Sequence, residues 1–199
     1  GIRGIVLGGH GLVTWGDTSH DCYLNSLKAI EQASQFVADR QPKDRAVFGG
    51  AELASLPEAS RRRQAAKLAP ILRGLCSSEQ AMIGHFADDE RVLEFINSRD
   101  LARLAPLGTS CPDHFLRTKI QPLVLNIASD EDLSAAEAIR ETLLPSFERY
   151  RREYEDYYDA CKSSDSPAMR DANPVVILYP GVGMFTFAKN KQTARVASE

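Results

Sequence analysis

The sequence lacks the patterns that mark several common functional classes. No apolar run is long enough to span a bilayer, and a net charge of −3 leaves no basic face for nucleic acid or a membrane surface. No CxxC pair is present to form a zinc knuckle or a redox dithiol, since the four cysteines are far apart: Cys22, Cys76, Cys111 and Cys161. These absences favour a protein of the reducing cytoplasm whose partners are small molecules or other proteins.

The sequence also lacks an initiator methionine and a secretory signal, because an apolar run has already begun by Ile5. At the other end, KNKQTARVASE resembles the beginning of an amphipathic helix without a C-cap. We therefore expect an internal piece of a longer cytoplasmic polypeptide.

One phrase occurs twice in the chain. GIVLGGHGLVTWG covers residues 4–16, and VVILYPGVGMFTF covers residues 175–187, with an offset of 172 residues between equivalent positions. Each copy predicts a strand, a glycine turn and a second strand, followed by a helix. The offset is too long for a solenoid repeat and suits a duplicated domain. We expect the end of one domain at 1–41 and most of a second at 45–199.

The remaining patterns predict an α/β fold with a mixed sheet flanked by helices. Apolar residues at helical spacing predict helices at 18–41 and 57–75, and a capping box at Ser134 and Glu137 predicts a third helix that ends at 161. The residues between 42 and 57 are expected to form a linker. Strands are predicted for AMIGHFAD, RVLEFINS, PLVLNIA and PVVILYP, and GTSCPDHFLRTK is expected to be irregular.

The glycine turn does not fit a dinucleotide-binding loop. That loop needs a third glycine in G-x-G-x-x-G, whereas Thr14 and Thr186 occupy this position in the two copies. Both turns also lead into a strand instead of a helix. The glycines are therefore expected to present residue 10 at a strand end, where His10 is a candidate metal ligand. A hydrogen-bonded core histidine is the alternative.

The segment IVLGGHGLVTWGDTSHDCYLNSLKAIEQAS resembles the last third of a class II aldolase/adducin-like domain. That resemblance implies a three-layer α/β fold and a catalytic zinc held by three imidazoles, two of them from a His-x-His pair. Only His10 matches the family's ligands, because His20, His85 and His114 form no such pair. In the second copy Val182 occupies the ligand position and offers no lone pair, so this copy is expected to be degenerate.

Together with LGTSCPDHFLRTK, PLVL and ILYPGVGMFTFAKNKQTAR, the segment is similar to the bifunctional rhamnulose-1-phosphate aldolase/alcohol dehydrogenase family. The resemblance implies zinc-dependent retro-aldol cleavage of a ketose 1-phosphate, then oxidation of the aldehyde by a short-chain dehydrogenase that binds NAD beyond residue 199. It also implies a homo-oligomer. The fragment itself is expected to lack activity, and 45–199 is alternatively a non-catalytic scaffold or oligomerisation domain between the two enzymes.

The stretch GTSCPDHFLRTK concentrates groups that suit an anion. Hydroxyl, imidazole and cationic side chains there are candidate ligands for a phosphate or sugar acid: Thr109, Ser110, His114, Arg117 and Lys119. A rigid turn between strands is an equally weighted alternative. A nucleophile and base formed by Cys111 and His114 is a third, less favoured one.

Overall fold

The computed structural model describes residues 1–8, 10–41, 46–78, 80–109 and 112–199, without the side chains of Pro112 and Asp113. Two compact units are present. The first is built mainly from Gly1–Ala46 and the second from Val47–Thr109 and His114–Glu199.

The first unit is a β-hairpin followed by a helix. Strand β1 (Gly4–Leu7) pairs antiparallel with β2 (Gly11–Thr14), and helix α1 spans Ser19–Arg40. As predicted, the helix starts at an N-cap, where the Thr18 hydroxyl oxygen accepts a hydrogen bond from the backbone N–H of Asp21.

The second unit contains a mixed four-stranded sheet with the order β3-β6-β5-β4. These strands are β3 (Ile83–Ala87), β4 (Leu123–Val124), β5 (Val176–Tyr179) and β6 (Gly183–Ala188). Strand β6 runs antiparallel to both β3 and β5, while β4 runs parallel to β5. The predicted mixed sheet is confirmed.

Helices cover both faces of this sheet. The helices that follow α1 along the chain are α2 (Glu58–Leu75), α3 (Glu90–Ile96), α4 (Leu101–Leu104), α5 (Pro112–Thr118), α6 (Ala136–Cys161) and α7 (Lys191–Val196). Because side chains alternate along a strand, Ile177 joins a core with α2 and α6, while Leu178 joins a separate core with α3 and α4. The second unit therefore has the predicted three layers.

The prediction of a strand at RVLEFINS is wrong, because these residues form most of α3. The Asp89 carboxylate accepts hydrogen bonds from the N–H groups of Arg91 and Val92 and thereby caps the helix. Short apolar runs do not separate strand from helix by periodicity alone. The N-cap residue Asp89 is the sequence signal that distinguishes this helix from a strand.

Four other predictions also differ from the structure. The capping box is wrong, since the Ser134 hydroxyl donates to Asp132 and α6 begins after Ala135 without a side-chain cap. The strand predicted for PLVLNIA contracts to β4, and the segment expected to be irregular contains α5. Part of the expected linker forms a 3-10 turn at Val47–Gly49, while residues 42–45 lie outside the described ones.

No helix among the described residues is long and apolar enough to cross a membrane.

Candidate functional site

The hairpins at the two ends of the chain have the same register. In the first, Gly4 pairs with Thr14 and Leu7 with Gly11. In the second, Val176 pairs with Thr186 and Tyr179 with Gly183, which are the same positions shifted by the repeat offset. Residue 10 of the first hairpin is therefore structurally equivalent to residue 182 of the second.

The turns of the two hairpins also share a backbone hydrogen bond. The N–H of His10 donates to the carbonyl oxygen of Leu7 at 3.0 Å, and the N–H of Val182 donates to that of Tyr179 at 3.0 Å. In the first hairpin the turn ends at Gly11, whose φ of 141° is rarely adopted by residues with a side chain. The turn thus places residue 10, or 182, directly before the second strand.

The link from each hairpin to the following helix is repeated as well. The Thr14 hydroxyl donates to the carbonyl oxygen of Cys22 at 3.2 Å, and the Thr186 hydroxyl donates to that of Ala194 at 2.6 Å. Asn190 caps α7 through the N–H of Thr193, as Thr18 caps α1. Hairpin, cap and helix start therefore form one structural motif that occurs twice.

His10 is exposed on the turn of the first hairpin. Its Nδ1 lies 3.3 Å from the carbonyl oxygen of Gly8. A proton on Nδ1 would be donated to that carbonyl, which leaves the lone pair of Nε2 for a metal or a ligand. The alternative of a buried core histidine does not apply here. Gly9, which precedes His10, lies outside the described residues.

The described residues alone do not fit a complete zinc site. Among them, no group of three or more His, Cys, Asp or Glu side chains could hold a metal ion. The other imidazoles are distributed over separate elements, His20 in α1, His85 in β3 and His114 in α5. A tetrahedral zinc ion needs three protein ligands besides its water. Within the part of the chain that the structure covers, His10 supplies one.

The turn of the second hairpin is buried, whereas the turn of the first hairpin is exposed. Val182 is fully buried and belongs to the core formed with α2 and α6. The neighbouring Gly181 has a φ of 81°, and its N–H donates to Oδ1 of Asn97 at 2.6 Å. Its carbonyl oxygen accepts from the N–H of Leu56 at 2.9 Å, and Nδ2 of Asn97 donates to the Ser55 hydroxyl at 2.8 Å. Protein groups thus occupy the surroundings of this turn.

Asn97 was missed as a site residue by the sequence analysis, because its segment was predicted to be a strand. Replacing Asn97 with alanine should destabilise the second unit by about 2 kcal/mol, since the buried N–H of Gly181 loses its acceptor. Urea unfolding of the chain measures this loss. Asn25→Ala is a matched control, because the half-buried Asn25 donates to the Trp15 carbonyl oxygen in an exposed hydrogen bond. Equal effects of the two variants would contradict the role of Asn97 as a clamp on the turn.

The predicted anion-binding residues lie in and around α5. His114 and Arg117 are one helical turn apart in α5, half-buried and exposed respectively, and Lys119 follows the helix. Thr109 precedes it, whereas Ser110 and Cys111 lie outside the described residues. The alternative of a turn between strands is wrong, because Pro112 begins a helix.

Lys119 is engaged with the second unit's own groups. Its ammonium donates to the backbone carbonyl oxygen of Asp171 and lies 4.2 Å from the ring centroid of Tyr154. Burial lowers the pKa of Lys119 to about 8, although the Asp171 charge opposes this shift. The side chain thus joins the end of α5 to the segment between α6 and β5.

The second unit, a three-layer α/β unit with a glycine-turn hairpin, has the fold class of class II aldolase-like domains. Residues 63–199 match the family described as "Aldolase class II, second domain", and the chain belongs to that family. A Bacillus subtilis (strain 168) protein named "Uncharacterized oxidoreductase YuxG" is 33% identical over 193 residues, which are 97% of this chain. The chain spans only 27% of the length of that relative. No solved structure matches the chain.

Proposed function

We propose that this chain is an internal part of a bifunctional sugar-phosphate aldolase/short-chain dehydrogenase. In this proposal residues 1–41 end a first class II aldolase-like domain, and residues 45–199 form a second, degenerate copy. One observation carries the proposal: equivalent turns hold an exposed histidine at position 10 and a buried valine at position 182. The family membership supports the aldolase-like half.

His10 is the zinc ligand that this chain contributes. When bound, zinc would supply the Lewis acid that stabilises the enediolate left by retro-aldol cleavage of a ketose 1-phosphate such as rhamnulose 1-phosphate. The turn holds the His10 backbone through Leu7, and the Gly8 carbonyl favours a proton on Nδ1. The remaining ligands come from other parts of the polypeptide, so the isolated chain is inactive.

The oxidation half of the proposal places NAD on a dehydrogenase domain outside residues 1–199. The word oxidoreductase in the name of the B. subtilis relative supports it. A cytoplasmic homo-oligomer completes the proposal, which includes neither nucleic acid nor a membrane as a partner.

The substrate phosphate has a candidate site at α5. His114 and the exposed Arg117 would provide imidazole and guanidinium donors, and Thr109 and Lys119 flank the helix. Ser110, which lies outside the described residues, completes the proposed set. A second function for residues 45–199, as a scaffold between the two enzymes, is favoured by the burial of Val182 and the clamp on Gly181. These interactions stabilise the turn and leave no lone pair at the ligand position.

An aldolase assay on the full-length polypeptide tests this function. Purified with zinc, it should release dihydroxyacetone phosphate from rhamnulose 1-phosphate or a related ketose 1-phosphate, whereas the isolated 199-residue chain should release none. The product is measured with a coupled reductase assay, and a chelator-treated sample is the control. Cleavage by the isolated chain, or no cleavage of any ketose 1-phosphate by the zinc-loaded full-length protein, would contradict the proposal.

A further inference from the structure

Apolar positions that are buried in the second unit are exposed in the first. Ile5 is 51% exposed and its equivalent Ile177 is fully buried. Val13 is 47% exposed, while its equivalent Phe185 is 1% exposed. Trp15 follows the same pattern, at 45% against 3% for Phe187. Ile5 and Val13 are cross-strand partners, so these exposed apolar side chains adjoin one another, and exposed apolar patches mark binding surfaces.

The second unit indicates what covers the equivalent side chains there. Ile177 and Phe185 are packed under α2 and α6, and the edges of their hairpin are paired with β4 and β3. In the first unit, β1 and β2 form a sheet of only two strands among the described residues. An isolated hairpin of this size is marginally stable in water.

A groove lies between the strands of the first hairpin and α1. Its volume is about 350 Å³, and its lining includes Val6, Leu12 and Ala29. The equivalents of Val6 and Leu12 are Leu178 and Met184, which belong to the core that α3 fills with the buried Ile96. In the second unit, α3 therefore lies beside the equivalents of two residues that line this groove.

We infer that the apolar surface of the first unit binds a further segment of the same longer polypeptide. This segment supplies a strand antiparallel to β2, a strand parallel to β1, and a helix that packs beside Val6 and Leu12. The inference rests on the part of the proposed function that makes the first unit the end of a larger domain, and it is independent of the aldol reaction.

The order of elements in the second unit argues for a segment of the polypeptide itself. There, β3, α3 and β4 all precede the hairpin within the same chain, between residues 83 and 124. With the repeat offset of 172 residues, their equivalents fall outside residues 1–199. The length of the B. subtilis relative, of which this chain spans 27%, provides room for such a segment.

Hydrogen exchange of the full-length polypeptide and of the 199-residue chain tests this inference. The amides of Gly4–Leu7 and Gly11–Thr14 should exchange at least tenfold more slowly in the full-length protein, because their free edges become paired. The amides of Val176–Tyr179 and Gly183–Ala188 should be protected in both, and they are the internal control. Equally fast exchange of the first hairpin in both proteins would overturn the inference.

The molar mass of the 199-residue chain, measured by light scattering over a range of concentrations, distinguishes a second copy as the occupant. A dimer whose first hairpin is protected would overturn the inference in favour of self-association, and a monomer with a rapidly exchanging hairpin supports it. Val13→Lys should lower the protection of the first hairpin in the full-length protein, whereas Ser34→Lys on α1 should not. Because the readout is exchange and not cleavage, an inactive protein can still confirm the interface.

Discussion

Replacing His10 with valine in the full-length protein is expected to abolish most of the proposed retro-aldol activity. Valine is the residue at the equivalent position 182, and it has no lone pair for a metal. Loss of a residue that only supports a ligand costs about 10–100-fold in affinity or activity. Loss of a direct ligand should cost more, so we expect kcat to fall by about 100-fold or further.

Steady-state kinetics on a ketose 1-phosphate and zinc content per subunit measure this effect. His20→Val is the matched control, because it removes an exposed imidazole from the first turn of α1. Because His10 is exposed in the 199-residue chain, its replacement there should change the free energy of unfolding by no more than about 0.5 kcal/mol. A His10→Val protein with full activity and full zinc content would exclude His10 as a metal ligand.

The reverse exchange, Val182→His, is expected to destabilise the second unit strongly. The larger ring must enter a close-packed core, and its nitrogen atoms must be buried there without partners. Overpacking and an unsatisfied buried polar group each cost about 1–3 kcal/mol, so their sum is about 4 kcal/mol. The two exchanges at equivalent positions should therefore have opposite consequences, one for activity and one for stability.

Urea unfolding of the 199-residue chain, followed by circular dichroism, measures the second effect. His10→Val in the same chain is the matched control, with an expected change near zero. If Val182→His unfolds at the wild-type urea concentration, the second turn has room for an imidazole. The interpretation of residues 45–199 as a degenerate copy would then be wrong.

The local patterns of the sequence predicted much of the fold. Helices α1, α2 and α6 follow from apolar residues at helical spacing, and the hairpins follow from glycine turns between β-rich runs. The repeat itself was visible without coordinates, and so was the exchange of His10 for Val182. Such signals are local, because each depends on residues close together in the chain.

The same patterns were insufficient where long-range contacts decide the outcome. Helix α3 was predicted to be a strand, since its short apolar run fits both, and Asn97 at its end was overlooked. This residue reaches Gly181, 84 positions away in the sequence. Lys119 was a candidate anion ligand on the basis of its charge. Its hydrogen bond to the backbone carbonyl oxygen of Asp171 and its contact with the Tyr154 ring arise from tertiary packing.

The sequence by itself determined the α/β class, the duplicated hairpin and the residue at each turn, because strand periodicity, glycine turns and helix caps act over a few residues. Only the tertiary structure decided that position 10 is open and position 182 is filled. Burial depends on which distant segments pack around a turn. In the second unit, Leu56 and Asn97 hold the turn at Gly181, and α2 and α6 complete the core around Val182.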